Sequence, residues 1–278
     1  MDHRVIKVKD ISIANNLPLA IIGGINAIES YDLAMKVCEE FVKVTSKYNV
    51  PFIFKASFDK ANRSSISSFR GIGIDEGLQV LNEVKSTFNV PVISDIHEPS
   101  QADLVKDVLD IIQIPAFLSR QTDLIMAAAE TGLPINVKKA QFLAPQEMQN
   151  IINKFKEANN NQVMLCERGS MYGYNNLVVD MLGFPIMKEI GCPLIFDVTH
   201  SLQKPGGKGH AADGRRQFAF DLAKSGVIQG IAGLFVETHP NPDKALCDGA
   251  CALPLAQLDI FIEQMTKVDK LAKSFDTI

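Results

Sequence analysis

The sequence predicts a (β/α)₈ barrel, and three observations predict it. Eight short apolar runs recur along the chain, at 19–25, 52–56, 90–94, 111–116, 134–137, 162–166, 193–198 and 233–236. They are continuously hydrophobic rather than alternating, as parallel strands covered on both faces are. Amphipathic stretches lie between them, and strands that alternate with helices make βαβ units. Eight such units in 278 residues fit one closed barrel better than the alternative, an open doubly wound sheet.

Each element has a local reason. Residues 4–13 alternate charged with apolar side chains, which suggests a short hairpin ahead of the barrel. Pro18, Pro51, Pro91, Pro134, Pro193 and Gly233 bound the apolar runs. Helical patterns run over Tyr31–Tyr48, Asp75–Phe88, Pro145–Ala158 and Arg215–Ser225, with a last helix after Leu253 reaching about Phe275. No linker, low-complexity tract or charge block divides the chain. A single domain is expected over 1–278, with the hairpin in 1–17 and the barrel in 18–278.

Composition narrows the function. Hydrophobic residues at 46% and charged residues at 22% suit a large buried core. A net charge of −4 argues against a general nucleic-acid binder, whose footprint is basic. The N-terminus lacks an apolar signal core, and no window approaches a membrane span. A cytoplasmic protein without a membrane partner is expected, so the Asn62-Arg63-Ser64 glycosylation pattern carries no meaning. Five scattered cysteines (Cys38, Cys166, Cys192, Cys247, Cys251) without a Cys-x-x-Cys fit reduced thiols. The spacing of His239, Cys247 and Cys251 does not fit a structural zinc site.

Polar residues fall at the ends of all eight runs. They are Asn26; Lys55, Ser57, Asp59 and Lys60; Asp95, His97 and Glu98; Gln113 and Arg120; Lys138, Lys139 and Gln141; Glu167 and Arg168; Asp197 and His200; Glu237 and His239. In a barrel these converge on the C-terminal rim, where active sites sit. Buried charges must be paired to be tolerated, so a ring of them is hard to explain as packing alone. Lys55, Lys60, Arg63, Arg120, Lys138 and Arg168 form a cationic set against the overall sign of the chain. Such a set suits phosphate and carboxylate groups, either on two substrates or on one polyanion.

Other motifs carry less. Gly71-Ile-Gly73 lacks the third glycine and the preceding strand of a dinucleotide loop, and Gly206-Gly207-Lys208-Gly209 lacks the Walker frame. The latter suits a flexible loop that could cover the rim. Cys166 lies inside an apolar run, where an inert core cysteine is expected rather than a nucleophile.

Several motifs together resemble the 3-deoxy-D-manno-octulosonate 8-phosphate synthases. They are Lys55-Ala-Ser-Phe-Asp-Lys-Ala-Asn-Arg-Ser-Ser65, Ser94-Asp-Ile-His-Glu-Pro99, Ile114-Pro-Ala-Phe-Leu-Ser-Arg-Gln-Thr-Asp123, Asn136-Val-Lys-Lys-Ala-Gln141, Cys166-Glu-Arg-Gly169, Phe196-Asp-Val-Thr-His200 and Glu237-Thr-His-Pro240. The resemblance covers essentially the whole chain. It implies a barrel with an N-terminal hairpin, a homotetramer, and the condensation of phosphoenolpyruvate with arabinose 5-phosphate in lipopolysaccharide synthesis. It implies that Lys55, Lys60, Gln113, Lys138, Gln141 and Arg168 hold phosphoenolpyruvate. Asn62, Arg63, Ser64, Phe117 and Gln203 would hold the sugar phosphate, with Arg120 reaching it from a neighbouring subunit. Asn26, Lys138, His200, Glu237 and Asp248 would line the reacting centre.

The family contains a metal-dependent class, in which a cysteine after the first strand joins a histidine, a glutamate and an aspartate around a divalent ion. Here His200, Glu237 and Asp248 match, but Asn26 stands at the cysteine position in Gly23-Gly-Ile-Asn-Ala27. A neutral amide is a far weaker ligand than a thiolate for borderline metals. Cys247-Asp-Gly249 also resembles the metal-independent class, so neither a metal nor another cofactor is expected. The rivals are a heptulosonate or sialic acid synthase on the same fold, a non-catalytic anion binder, and an enzyme under feedback control. No extra domain is evident to receive an effector.

Overall fold

The computed structural model describes residues 4–207 and 212–275. The predicted hairpin is β1 (Ile6–Val8) and β2 (Ile11–Ile13), antiparallel, turning at Lys9 with φ 49°. There follow β3 (Ala20–Ala27), α1 (Tyr31–Tyr48), β4 (Phe52–Ser57), α2 (Ile74–Phe88), β5 (Val92–Asp95), α3 (Gln101–Val105) and β6 (Ile111–Ile114). Next come α4 (Thr122–Glu130), β7 (Ile135–Lys138), α5 (Met148–Glu157) and β8 (Val163–Glu167). A small hairpin, β9 (Ser170–Met171) with β10 (Leu177–Val178), precedes α6 (Gly183–Glu189), β11 (Leu194–Asp197) and α7 (Val198–Ser201). A second, β12 (Gln203–Lys204) with β13 (Asp213–Gly214), leads to α8 (Ala219–Val227), β14 (Gly233–His239), β15 (Leu253–Pro254) and α9 (Leu258–Ala272).

Strands β3, β4, β5, β6, β7, β8, β11 and β14 pair in parallel in that order, and β14 pairs back to β3, closing the barrel. All eight predicted runs are strands of this barrel. Closure abolishes sheet edges, and the pleat sends alternate side chains inward and outward. Two apolar clusters result. The larger lies between strands and helices, with Phe41, Phe54, Phe155, Phe184 and Phe261 fully buried in it. The smaller fills the barrel, where Ile22, Ile53, Ile93, Ile111, Met164, Ile195 and Phe235 meet Ile6, Val8 and Ile13 of the hairpin. The hairpin therefore plugs the N-terminal end, and only the C-terminal mouth is left to a ligand.

Helix α1 keeps its predicted bounds because both ends are signposted. The Ser30 hydroxyl accepts from Leu33 N at 3.2 Å, and Asn49 closes the helix in the left-handed region, φ 54°. Pro145–Ala158 is shorter than its pattern, a 3₁₀ turn over Pro145–Glu147 leading into α5. The helix after Leu253 begins only at Leu258, because Leu253–Pro254 pairs with β14 and Leu255–Gln257 is 3₁₀. The proposed loop over the rim, Gly206–Gly209, lies partly outside the described residues, at Lys208 and Gly209; its flanks are pinned by the β12–β13 pairing.

Gly24 sits in register with Lys55, and a Cβ there would collide with the Lys55 backbone carbonyl. The carbonyl belongs to the sheet and cannot retreat. Gly24→Ala is expected to cost about 1–3 kcal/mol or more, as overpacked cores do. Urea unfolding would show this as a lower midpoint; an unchanged midpoint would contradict the close approach.

Candidate active site

The strand tips deliver polar side chains to one cavity at the C-terminal mouth. It is lined by Lys60, Asn62, Arg63, Ser64, Asp95, His97, Gln113, Pro115, Ala116, Phe117, Lys138, Gln141, Arg168, His200, Gln203, Pro205, Gly206, Ala212, Cys247 and Asp248. Four cations face two carboxylates across it, so a positive pool forms inside a chain of net charge −4.

Pairing from below holds these charges in place. Asp197 is fully buried at the tip of β11 and accepts from Lys138 Nζ, while its Oδ2 lies 2.7 Å from His200 Nδ1. Its Oδ1 also accepts from His200 N at 3.0 Å. Lys138 Nζ rests 3.5 Å above the centroid of Phe235, an inward residue of β14, which adds a cation–π contact. Glu237 lies beneath, with Oε1 2.5 Å from Lys55 Nζ and Oε2 3.4 Å from His200 Nε2. Burial pushes the Glu237 carboxyl up, but His200, Lys55 and Lys60 outweigh it and hold the pKa at about 2. Burial likewise opposes the charge on Asp197, yet His200 and Lys138 hold it below the carboxylate range. Lys55 is 0% exposed; burial brings its pKa down to about 8 against the pull of Glu237.

On the opposite wall, Asp95 accepts from Ser57 Oγ and lies 3.1 Å from His97 Nε2. Burial disfavours its charge, but Lys60 and His97 keep it well below the usual carboxyl value. In return Asp95 and Glu237 overcome the burial of Lys60 and raise its pKa. Arg168 Nη2 donates to Gln203 Oε1 at 2.8 Å, whereas Nη1 is buried without a partner. A buried guanidinium nitrogen without a protein partner is a donor that an anion can use. Among the described residues no three His, Cys, Asp or Glu side chains group as a metal cage. At the centre, Asn26 Nδ2 donates to Glu237 Oε2 at 2.6 Å and Asp248 Oδ2 at 3.0 Å, so an amide lies between the two carboxylates.

Most of the expected site residues meet here. Lys60, Asn62, Arg63, Ser64, Gln113, Phe117, Lys138, Gln141, Arg168, His200, Gln203 and Asp248 line the cavity. Asn26, Lys55 and Glu237 lie behind that lining, linked to it by hydrogen bonds and ion pairs. Arg120 is exposed and outside the cavity, and its carbonyl accepts from Lys154. Several strand-end residues are not part of the mouth. Lys139 and Glu167 are one residue out of phase with Lys138 and Arg168 and pair with each other. Asp59 pairs with Arg70, and His239 lies 3.7 Å from Glu29. His97 was visible at a strand end without a role; it lines the mouth, and its buried Nδ1 has no partner. Cys247 also lines it, in contact with Arg63 through Sγ.

A closed parallel barrel with a cation-lined C-terminal mouth is the architecture of a barrel enzyme with an anion site. The chain belongs to the DAHP synthetase I family, which it matches over residues 3–274. Curated relatives are named 2-dehydro-3-deoxyphosphooctonate aldolase. That of Psychromonas ingrahamii is 62% identical over 278 residues, covering 100% of this chain and 99% of the relative. Those of Hahella chejuensis (61%, with 100% and 99% covered) and Pseudoalteromonas translucida (61% over 275 residues, with 99% and 96% covered) are equally similar.

The depressed carboxyls set an acid limit. A group whose folded pKa is lowered stabilises the fold above its unfolded value, about 4.3 for glutamate, and the benefit is lost as pH falls through the folded value. Thermal melts are therefore expected to drop steeply between pH 4 and pH 2, where Glu237 takes up its proton. Glu237→Gln should flatten that limb while costing about 3–5 kcal/mol at neutral pH, because Lys55 loses its buried partner. An unchanged acid limb in the variant would contradict the pairing.

Proposed function

We propose that this chain condenses phosphoenolpyruvate, arabinose 5-phosphate and water to give 3-deoxy-D-manno-octulosonate 8-phosphate and inorganic phosphate, a reaction of lipopolysaccharide synthesis. The relatives' enzyme is also known as 3-deoxy-D-manno-octulosonate 8-phosphate synthase. The observation that carries the proposal is the cationic cavity. Lys60, Arg63, Lys138 and Arg168 surround a space that both anionic substrates can enter. Neutralising two phosphates and a carboxylate removes their mutual repulsion and brings the reacting carbons together.

Arg168, with its unpaired Nη1, Lys60, Lys138, Gln113 and Gln141 bind the phosphate and carboxylate of phosphoenolpyruvate, and Lys55 adds positive charge from beneath. Asn62, Arg63 and Ser64 bind the sugar phosphate, and Phe117 and Gln203 flank the sugar. Water adds to carbon 2 of phosphoenolpyruvate, carbon 3 attacks the aldehyde carbon, and the hemiketal phosphate collapses with loss of phosphate. Lys138 and His200, joined through Asp197, are the proton-handling groups beside the reacting carbons.

The reaction runs without an essential metal. Asn26 supports this: it presents N–H donors to Glu237 and Asp248, so an amide fills the place between two carboxylates that a cation would need. The working protein is a homo-oligomer, a tetramer by family resemblance, in the cytoplasm. An apolar surface supports association: Phe142, Met171 and Tyr174 are exposed around one cleft. Arg120 would reach a neighbour's sugar phosphate. No helix among the described residues is long and apolar enough to cross a membrane.

Phosphate release from phosphoenolpyruvate is expected with arabinose 5-phosphate and not with erythrose 4-phosphate; the opposite preference would assign the chain to heptulosonate chemistry. Prolonged chelation should leave the rate intact, and a loss restored by a divalent ion would overturn metal independence. Asn26→Cys should acquire a tightly bound divalent ion, read by metal content after dialysis. Arg168→Ala should raise KM for phosphoenolpyruvate about tenfold or more, consistent with a lost charge-assisted pair.

A further inference from the structure

Lys139 and Glu167 lie outside the mouth, yet they are among the most deeply buried charges of the chain, at 0% and 2% exposure. Lys139 directly follows β7 and Glu167 ends the neighbouring β8, each one step along the backbone from Lys138 and Arg168. Lys139 Nζ is 3.6 Å from Glu167 Oε2. Burial opposes both charges, pulling the Lys139 pKa down and pushing that of Glu167 up. A buried ion pair adds little net stability, because desolvation offsets the attraction. Its remaining bonds show what it holds.

Glu167 Oε1 accepts from Arg168 N at 2.9 Å and Gly169 N at 2.5 Å. Gly169 turns there with φ 87°, which glycine alone adopts without strain. Lys139 Nζ donates to Ala140 O and Leu143 O, each at 3.4 Å, and to Ser170 Oγ at 3.0 Å. Beside these, Met171 N donates to Gln141 O at 2.8 Å. The loop after β7 and the loop after β8 are thus tied together across one ion pair. The first leaves the strand at Lys138 and carries Gln141, and the second carries Arg168, all in the cavity lining.

We propose that the Lys139–Glu167 pair is a positioning device for phosphoenolpyruvate, setting from behind the barrel wall the spacing between Lys138 with Gln141 and Arg168. The pair touches no substrate, and the proposal rests on the function proposed above. Among the described residues its backbone ties run to the two loops after β7 and β8, so its loss acts on one substrate. The Asn62–Ser64 segment that would hold the sugar phosphate hangs from β4.

The test is calorimetric binding of phosphoenolpyruvate to the full-length protein, with KM for arabinose 5-phosphate measured beside it. Lys139→Met with Glu167→Gln removes both charges but keeps an oxygen to accept from Arg168 N and Gly169 N. Because it cuts the ties made by Lys139 Nζ, the phosphoenolpyruvate dissociation constant should rise about threefold or more. Lys139→Met with Glu167→Met removes the acceptor too, and the dissociation constant should rise about tenfold or more while KM for arabinose 5-phosphate moves less than about twofold. Neither double variant leaves a lone buried charge. A folded Met/Met variant that binds phosphoenolpyruvate as the parent does, or that weakens both substrates alike, would overturn the positioning role. Ser170→Ala cuts one tie without touching the pair and serves if Met/Met fails to fold; it should raise the phosphoenolpyruvate dissociation constant about threefold, and no rise would equally overturn the role. A parent protein that does not bind phosphoenolpyruvate would contradict the function itself, not the positioning.

Discussion

Charge taken out of water has to be paired, and that requirement organises the C-terminal half of this barrel. Asp197, Glu237 and Asp95 are buried carboxylates, and each answers more than one positive or polar group. Asp197 alone holds both Lys138 and His200. Asp197 fixes Lys138, Asp95 and Glu237 favour the charge on Lys60, and Gln203 orients Arg168, so the three cations reach the cavity preset. Preset charge is what an anion site needs, since no reorganisation is then required when the ligand arrives. The N-terminal hairpin contributes indirectly: by filling the barrel floor with Ile6, Val8 and Ile13 it leaves one mouth open.

The pleat divides labour among adjacent residues. Lys138 points inward to the mouth and Lys139 outward to Glu167 and the loop carbonyls. Two consecutive lysines thus do different jobs, one presenting charge and one fixing loops. The arrangement around Asn26 follows similar logic. An amide between Glu237 and Asp248 satisfies both carboxylates by hydrogen bonding where a cation could have done so by charge.

Much of this was legible in the sequence. The eight strands were, because continuous apolar runs bounded by proline and glycine have few other uses. Helix α1 was, because Ser30 and Asn49 mark its ends. The short helices α3 and α6 were not, since five and seven residues give no usable period. The two-residue ladders β9–β10 and β12–β13 have no pattern at all. At the site, the residue types and their convergence were readable, but the facing of individual tips was not. A one-residue step reverses the side of a strand, and nothing in Lys138-Lys139 or Glu167-Arg168 says which member turns inward. The depth of Lys55 was hidden for a related reason: its partner, Glu237, is far away in sequence and adjacent only once the barrel closes.

The most direct measurement is a crystal structure of the protein soaked with phosphoenolpyruvate and no added metal. The phosphate and carboxylate oxygens should lie within about 3 Å of nitrogen atoms of Lys60, Lys138 and Arg168, with Arg168 Nη1 gaining the partner it lacks. Phosphoenolpyruvate bound at any other surface, or in the mouth with its anionic groups turned to solvent, would contradict a site built from charge fixed by buried carboxylates.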